Sequence, residues 1–305
     1  MRLFETANYN IIPHRKIGYV ISITLVIISL VAIFGRGIQY GIDFRGGIEI
    51  ILEFEEPASV DELRSELTGP LGVMPDIRRL GIGRDMLIRI DTELPTSEVQ
   101  QIITATAAQA FPDNPSSIIQ TESVGPSFAD DLRNAALMSI IFALIVIFLY
   151  ILIRFKKWSY SAGAVAALGH DVIITLGVFT ILHGIVPFSL DINQALIAAF
   201  LTIVGYSLND TVVVFDRIRE NTLIFKTDDF EKTVNRSVNN TLSRTVVTSL
   251  TTLFVVTILF IFGGDVLKGL SFALIIGVIL GTYSSIFVAS SLLVDLQLKT
   301  RKNIA

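Results

Sequence analysis

Residues 161–182 read SAGAVAALGHDVIITLGVFTIL, an almost unbroken apolar run. As a helix it measures about 33 Å at 1.5 Å per residue, enough to cross a hydrocarbon core of about 30 Å. Five more runs have spanning length: Ile17–Phe34, Ala135–Ile153, Ile192–Phe215, Val246–Phe262 and Val266–Leu293. The last carries Gly269, Gly277 and Gly281 and is long enough to begin outside the core or to tilt within it. The first exceeds the usual apolar core of a signal peptide and no Ala-x-Ala-like site closes it, so it reads as an uncleaved helix. Six such runs describe a polytopic, α-helical membrane protein.

Composition removes several other classes. The 305 residues are 51% hydrophobic and 17% charged, with no cysteine, three histidines and a formal charge of −4. A disulfide scaffold, a zinc finger and a basic nucleic-acid binder are excluded on those figures. No Gly-Lys dipeptide occurs, so the phosphate-cradling GxxxxGK[ST] is absent and no nucleotide is expected to be hydrolysed. Basic residues set the orientation. With the N-terminus inside, inner segments hold fifteen of the 24, among them Arg2, Arg15, Lys16, Arg154, Lys156, Lys157, Arg217, Arg219, Arg301 and Lys302. Of the outer short loops, Lys268 alone carries a basic residue, so both termini are expected to be cytoplasmic.

The division that follows is an N-tail and first span at 1–35, an outer domain at 36–131, a five-helix bundle at 132–298 and a C-tail at 299–305. The outer segment is polar and long enough to fold. A strand is expected at Ile48–Phe54, then a helix opened by a capping box, Ser59 with Glu62. Strands at Ile77–Ile82 and Met86–Ile90 flank a Gly-Arg-Asp turn. A second helix begins near Ser97, with Gln100 three residues on, and runs to Phe111; a last strand covers Ser117–Val124. The order β-α-β-β-α-β is that of a small α+β ferredoxin-like domain.

Just after the first span comes Tyr40-Gly-Ile-Asp-Phe-Arg-Gly-Gly47. Physically this is a turn, in which glycines allow positive φ and Asp43 and Arg45 satisfy loop amides or one another. The same residues, Gly41, Asp43, Phe44, Gly46 and Gly47, resemble the signature of the SecD/SecF family of the bacterial protein-export apparatus. Four further stretches resemble that family: His170-Asp-Val; Val124-Gly-Pro with Asp131-Leu; Gly205-Tyr-Ser-Leu-Asn-Asp-Thr211 with Phe215-Asp-Arg-Ile-Arg-Glu-Asn221; and Arg244-Thr with Phe262-Gly-Gly264. Ala129 replaces a glycine of the family pattern and Asp131 a glutamate, which touches local backbone geometry only.

The charges inside spans are functional candidates on their own physics, because an unpaired ionisable group at the bilayer centre costs several kcal/mol, on the order of 3. Asp171 lies about 15 Å into its span, near the middle. His170 is one residue away and about 100° round the helix, not an obvious hydrogen-bonding partner. Polar glue between helices is the alternative reading for both. Asp210 lies nearer the cytoplasmic side, at a depth similar to Arg244 on the next span, so the two could form an ion pair. Arg244 also reads as a snorkelling positive-inside residue. Thr245, Thr248, Ser249 and Thr252 then form a hydroxyl stripe, which suggests a packed or hydrated seam. The Asp216, Arg217, Arg219, Glu220 cluster is either a solvated helix end or a docking face.

The resemblance implies more. It assigns a proton pathway to Asp210 and Arg244, with Asn209, Asp171 and His170 beside them, and no metal, no nucleotide and no cofactor other than the proton gradient. It implies half of the twelve-helix layout of the resistance-nodulation-division transporters, in the bacterial inner membrane. The partners implied are a SecD chain, the SecYEG channel with YajC and YidC, membrane lipid and an unfolded preprotein, with no nucleic acid and no enzymatic activity. An efflux-pump half for lipids or drugs, and a non-transporting scaffold, are the competing readings.

Overall fold

The computed structural model describes residues 7–80, 84–92 and 94–304, with the side chains of residues 265 and 301–304 set aside. Arg2, Ile82 of the expected second strand and Gly83 of the expected turn therefore lie outside the described residues, as do the side chains of Arg301 and Lys302. In chain order the elements are α1 (Arg15–Arg36), α2 (Ile42–Arg45), β1 (Gly47–Phe54), α3 (Val60–Leu71), β2 (Asp76–Leu80), β3 (Asp85–Ile90), α4 (Thr96–Ala110), β4 (Ser116–Val124), α5 (Pro126–Phe155), α6 (Trp158–Leu182), α7 (Gln194–Ile224), α8 (Phe230–Phe262), α9 (Asp265–Ser284) and α10 (Ser290–Ile304). They form two compact units. A helical unit takes the chain up to Ile38, Met138–Ile181 and everything from Ala195; a sheet unit takes Gln39–Leu137 and Leu182–Gln194.

In the sheet unit, β1 is central and pairs antiparallel with β3 on one side and β4 on the other, giving the order β2-β3-β1-β4. This is the ferredoxin-like arrangement expected from the element order. Period-two alternation sends Ile48, Ile50, Leu52 and Phe54 of β1 toward the helices, where they bury with Met86, Ile88, Leu63, Leu67, Val99 and Ile103. Each such side chain contributes about 1.5–3 kcal/mol of transfer free energy. Ser59 caps α3, its Oγ accepting from Glu62 N at 3.4 Å, and Gly72 ends it in the left-handed region. The expected Ser97–Gln100 box does not form at α4. Pro95 takes the cap position instead, and Gln100 donates to Thr121 Oγ1 on β4 at 2.9 Å.

Six described helices are long and apolar enough to cross a membrane: Ile12–Arg36, Pro126–Phe155, Trp158–Leu182, Gln194–Ile224, Phe230–Phe262 and Val266–Thr300. All six expected runs are there, lengthened by polar turns that stay helical. Half or nearly half of the spanning windows of α6, α7 and the last span is buried, against 6% for α5, so those three form the centre of the unit. Helices α1 and α6 touch closely at Gly177, where any Cβ would run into Ser29. The last span, whose sequence left its start open, is one helix interrupted by a π turn at Ser285–Ala289, which Ser290 Oγ braces by donating to Ser285 O at 2.8 Å. An aromatic group of Phe155, Tyr160 and Phe215 packs α5, α6 and α7 together, with the first two rings stacked 4.9 Å apart. The chain before α1 is pinned to α8 by Asn235, whose Oδ1 accepts from Ile11 N and Ile12 N, and by Asn239, whose Oδ1 accepts from Tyr9 N.

Candidate functional site

The glycine-rich segment is a built joint rather than a loose turn. Residues Ile42–Arg45 form a single helical turn, and Phe44 is buried with its ring edge-on to Tyr40. Gly46 and Gly47 follow at φ 81° and 112°, which side chains resist; a Cβ on Gly47 would also sit 2.6 Å from Ile90 O. The sequence reading that Asp43 satisfies loop amides or pairs with Arg45 is not met among the described residues. Asp43 Oδ2 accepts from Gln194 N at 2.7 Å and so caps the first residue of α7. Gly41 N donates to Ile192 O at 2.9 Å and Ile192 N to Gln39 O at 2.8 Å, a parallel bridge beside that cap.

A second cluster has no warning in the sequence. Glu49 and Arg89 stand opposite one another on β1 and β3, on the sheet face away from α3 and α4. Arg89 Nη2 donates to Glu49 at 2.7 Å and to Asp191 at 3.1 Å. Asp191 also takes His183 Nε2 at 3.1 Å, Ser189 Oγ at 2.6 Å and, more distantly, Arg78 Nη1 at 3.5 Å. Burial alone would raise the Asp191 carboxyl, but the bond to His183 and the Arg89 guanidinium hold it well below the usual carboxylate range. Burial raises Glu49, with Arg89 pulling the other way.

Two buried aspartates stand within the helical unit. Asp171 on α6 is fully occupied: Oδ2 accepts from Ser207 Oγ on α7 and Ser284 Oγ on α9, both at 2.7 Å, so one carboxylate ties three helices. His170 Nδ1 lies 2.9 Å from Asp171 Oδ1, which corrects the expectation that these neighbours would not meet. Their Cβ atoms diverge by about 100°, but the imidazole is long enough to swing back. The ring also stacks on Tyr283, with centroids 6.0 Å apart.

Asp210 on α7 is different. It is 3% exposed, Ser249 of α8 lies against its carboxylate, and among the described residues its Oδ2 has no hydrogen-bond partner. The buried hydroxyls of Thr211 and Thr245 likewise have none. The expected ion pair with Arg244 does not form at 4.0 Å or less among the described residues; Arg244 acts on Asp210 from a distance and its side chain is exposed. The cause is helical phase, because Thr245 takes the inward position and Arg244, one residue earlier, turns outward. Asn209 is exposed as well. Of the hydroxyl stripe, Thr245 and Ser249 face inward, and Thr282 on α9 donates to Ser249 at 2.6 Å. Thr248 and Thr252 bond back to their own helix at Arg244 O and Thr248 O. In the polar cluster, Asp216 pairs with Arg154 at the end of α5 at 3.0 Å, Arg219 reaches Arg154 O, and Arg217 pairs with Glu220. That cluster thus joins α5 to α7 and leaves Arg219 and Glu220 exposed.

Comparison with known proteins agrees across the chain. Residues 103–299 match the family described as "Protein export membrane protein SecD/SecF, C-terminal", and residues 31–58 match the "SecD/SecF GG Motif". The protein translocase subunit SecF of Rhodothermus marinus is 56% identical over 297 residues, covering 97% of this chain and 96% of that one. SecF of Pseudomonas aeruginosa is 37% identical over 289 residues, covering 95% and 92%. The crystal structure of SecDF, a translocon-associated membrane protein, from Thermus superposes with a TM-score of 0.86 at 34% identity over 97% of this chain. This chain spans 40% of that one. A second SecDF structure, in a super-membrane-facing form, gives 0.71 at 33% identity with the same coverage. The chain belongs to the SecD/SecF family of protein-export membrane proteins.

Proposed function

From membership of that family we infer that this multi-pass membrane protein is an accessory subunit of the Sec preprotein translocase, driven by the proton-motive force. It works with a SecD chain that supplies the other half of a twelve-helix assembly beside the SecYEG channel, with YajC and YidC. The sheet unit faces the outside of the inner membrane, both termini lie in the cytoplasm, and the substrate is an unfolded preprotein. ATP is spent elsewhere.

The observation that carries the proton reading is Asp210, a buried carboxylate in a spanning helix with one oxygen unpartnered among the described residues and hydroxyls around it. A charge so placed is costly, and taking up a proton removes the cost. Each proton crossing 100 mV releases about 2.3 kcal/mol, enough to bias two conformations by roughly fiftyfold. Arg244 does not lose its proton, so its part is to tune Asp210 as the helices shift. Asp171 and His170 hold the frame: bonded to Ser207, one turn before Asp210, Asp171 fixes the phase of α7.

The test is the rate of preprotein release outside the membrane for wild type and Asp210→Asn, with and without an uncoupler. Asparagine keeps size and hydrogen bonding but does not ionise. A slow variant that no longer answers the uncoupler supports the reading. Normal export by an assembled variant sinks it and favours a scaffold.

A further inference from the structure

Helix α5 is the least buried of the six described spans. Where it meets α6 and α7, the helical unit leaves a cleft of about 240 Å³. Leu168, Phe200 and Val204 form its buried floor, and Leu144 of α5, Val172 of α6 and Leu201 of α7 stand half-buried at its rim. No polar atom lines it. Gly169 of α6 keeps it open, because a Cβ there would meet nothing within 4 Å, whereas further along the same helix a Cβ on Gly177 would run into Ser29.

Depth and size say what such a cleft can hold. Its wall on α5 lies about 15–21 Å along the helix from Arg154, and its wall on α7 about 9–15 Å from Gln194, both inside a hydrocarbon core of about 30 Å. Beside the rim, Ile141, Phe142 and Ile145 of α5 are exposed and apolar, so the medium at the mouth is lipid. Water is not the occupant, since an all-carbon cavity of about 150 Å³ already stays dry and takes benzene. A partner helix does not fit either. The walls extend over little more than one turn of each helix, and a helix with its side chains is about 10 Å across. A flexible chain of methylenes fits both the bore and the chemistry. Among lipid tails it gains no hydrophobic energy, but it gains the dispersion contacts that empty walls forfeit.

We propose that this cleft is a lipid site, which takes one acyl chain of a membrane phospholipid, and that the chain supplies the packing that holds α5 against α6 and α7. Leu168 and Gly169 directly precede His170 and Asp171. The acyl chain therefore lies on the far side of the helical turn whose Asp171 is tied to Ser207 and Ser284. The site stands independently of the reading of Asp210.

The test uses the chain in complex with its SecD partner, in phospholipid vesicles that contain a phosphatidylcholine with a photoactivated diazirine midway along one acyl chain. Labelled residues are read by mass spectrometry. Per residue, Leu144, Val172 and Leu201 at the rim are expected to carry about tenfold more label than Phe142 and Ile145 on the outward face, the ratio that roughly ten close carbon contacts give. Gly169→Leu fills the cleft and brings the rim down to the level of Phe142, while unchanged label on Phe142 itself shows that α5 still stands in lipid. Ala143→Leu, entering from the α5 wall, does the same and decides the matter where Gly169→Leu does not assemble. The proposal is overturned if the wild-type rim is labelled no more than Phe142, which is the result for bulk lipid alone. It is overturned equally if the rim is labelled only in the chain freed of its SecD partner, since a partner side chain then fills the cleft, or if both variants leave the rim labelled as before.

Discussion

Asp191 and Asp210 are 6% and 3% exposed, and the chain treats them in opposite ways. Asp191 in the sheet unit has two guanidinium groups, an imidazole and a hydroxyl directed at it. Asp210 in the helical unit has hydroxyls and a remote arginine, and one of its oxygens is without a partner among the described residues. Burial penalises both charges, so the difference lies in compensation. Full compensation makes a fixed joint, whereas partial compensation makes a group whose charge is worth shedding. A carboxylate's surroundings, rather than its burial, decide which of these it becomes.

Changing either residue breaks the contrast in a different way. The largest effect belongs to Asp210→Asn, which is expected to slow preprotein release roughly tenfold or more, up to the loss of the bias that a 100 mV potential supplies, measured as release rate in energised vesicles. Arg89→Ala strands Asp191 and Glu49 together. The sheet unit should lose about 3–5 kcal/mol, the usual cost of removing one member of a buried pair, read from thermal unfolding of the intact protein in detergent. Gly177→Leu pushes α1 off α6 at Ser29 and should cost about 1–3 kcal/mol by overpacking, read as a lower unfolding temperature with the Asp191 network intact. Acid sharpens the comparison. Because the Asp191 carboxyl is held low in the folded chain, its contribution is complete above the unfolded value of about 4 and is lost as pH falls below it. The part of the stability gap between wild type and Asp191→Asn that comes from the Asp191 charge should close as pH falls well below about 4. Smallest is Ser59→Ala, at about 0.5–1 kcal/mol for one lost helix cap.

Much of this was legible in the residues. The six spans follow from apolar runs, and the sheet order follows from period-two strands separated by two helical stretches. Asp171 and Asp210 stand out because charge is conspicuous in hydrocarbon. The Asp191 network does not, because Glu49 and Arg89 meet only through strand register and Asp191 joins them from a distant connection. Charged residues outside the spans carry no such mark. The sequence singles out Asp43, but its partner is the backbone amide of Gln194, and backbone amides look alike in a sequence. The two pairs differ from expectation for different reasons: Cβ directions leave out the reach of His170 toward Asp171, and matching depth leaves out the helical phase that turns Arg244 outward.

The central claim is that Asp210 takes part in proton movement whereas Asp191 is a fixed structural group of the sheet unit. Proton flux through the reconstituted complex under an imposed potential, for Asp210→Asn and Asp191→Asn side by side, tests it most directly. The account predicts flux abolished in the first and retained in the second. Flux retained in Asp210→Asn, or lost alike in both, would contradict it.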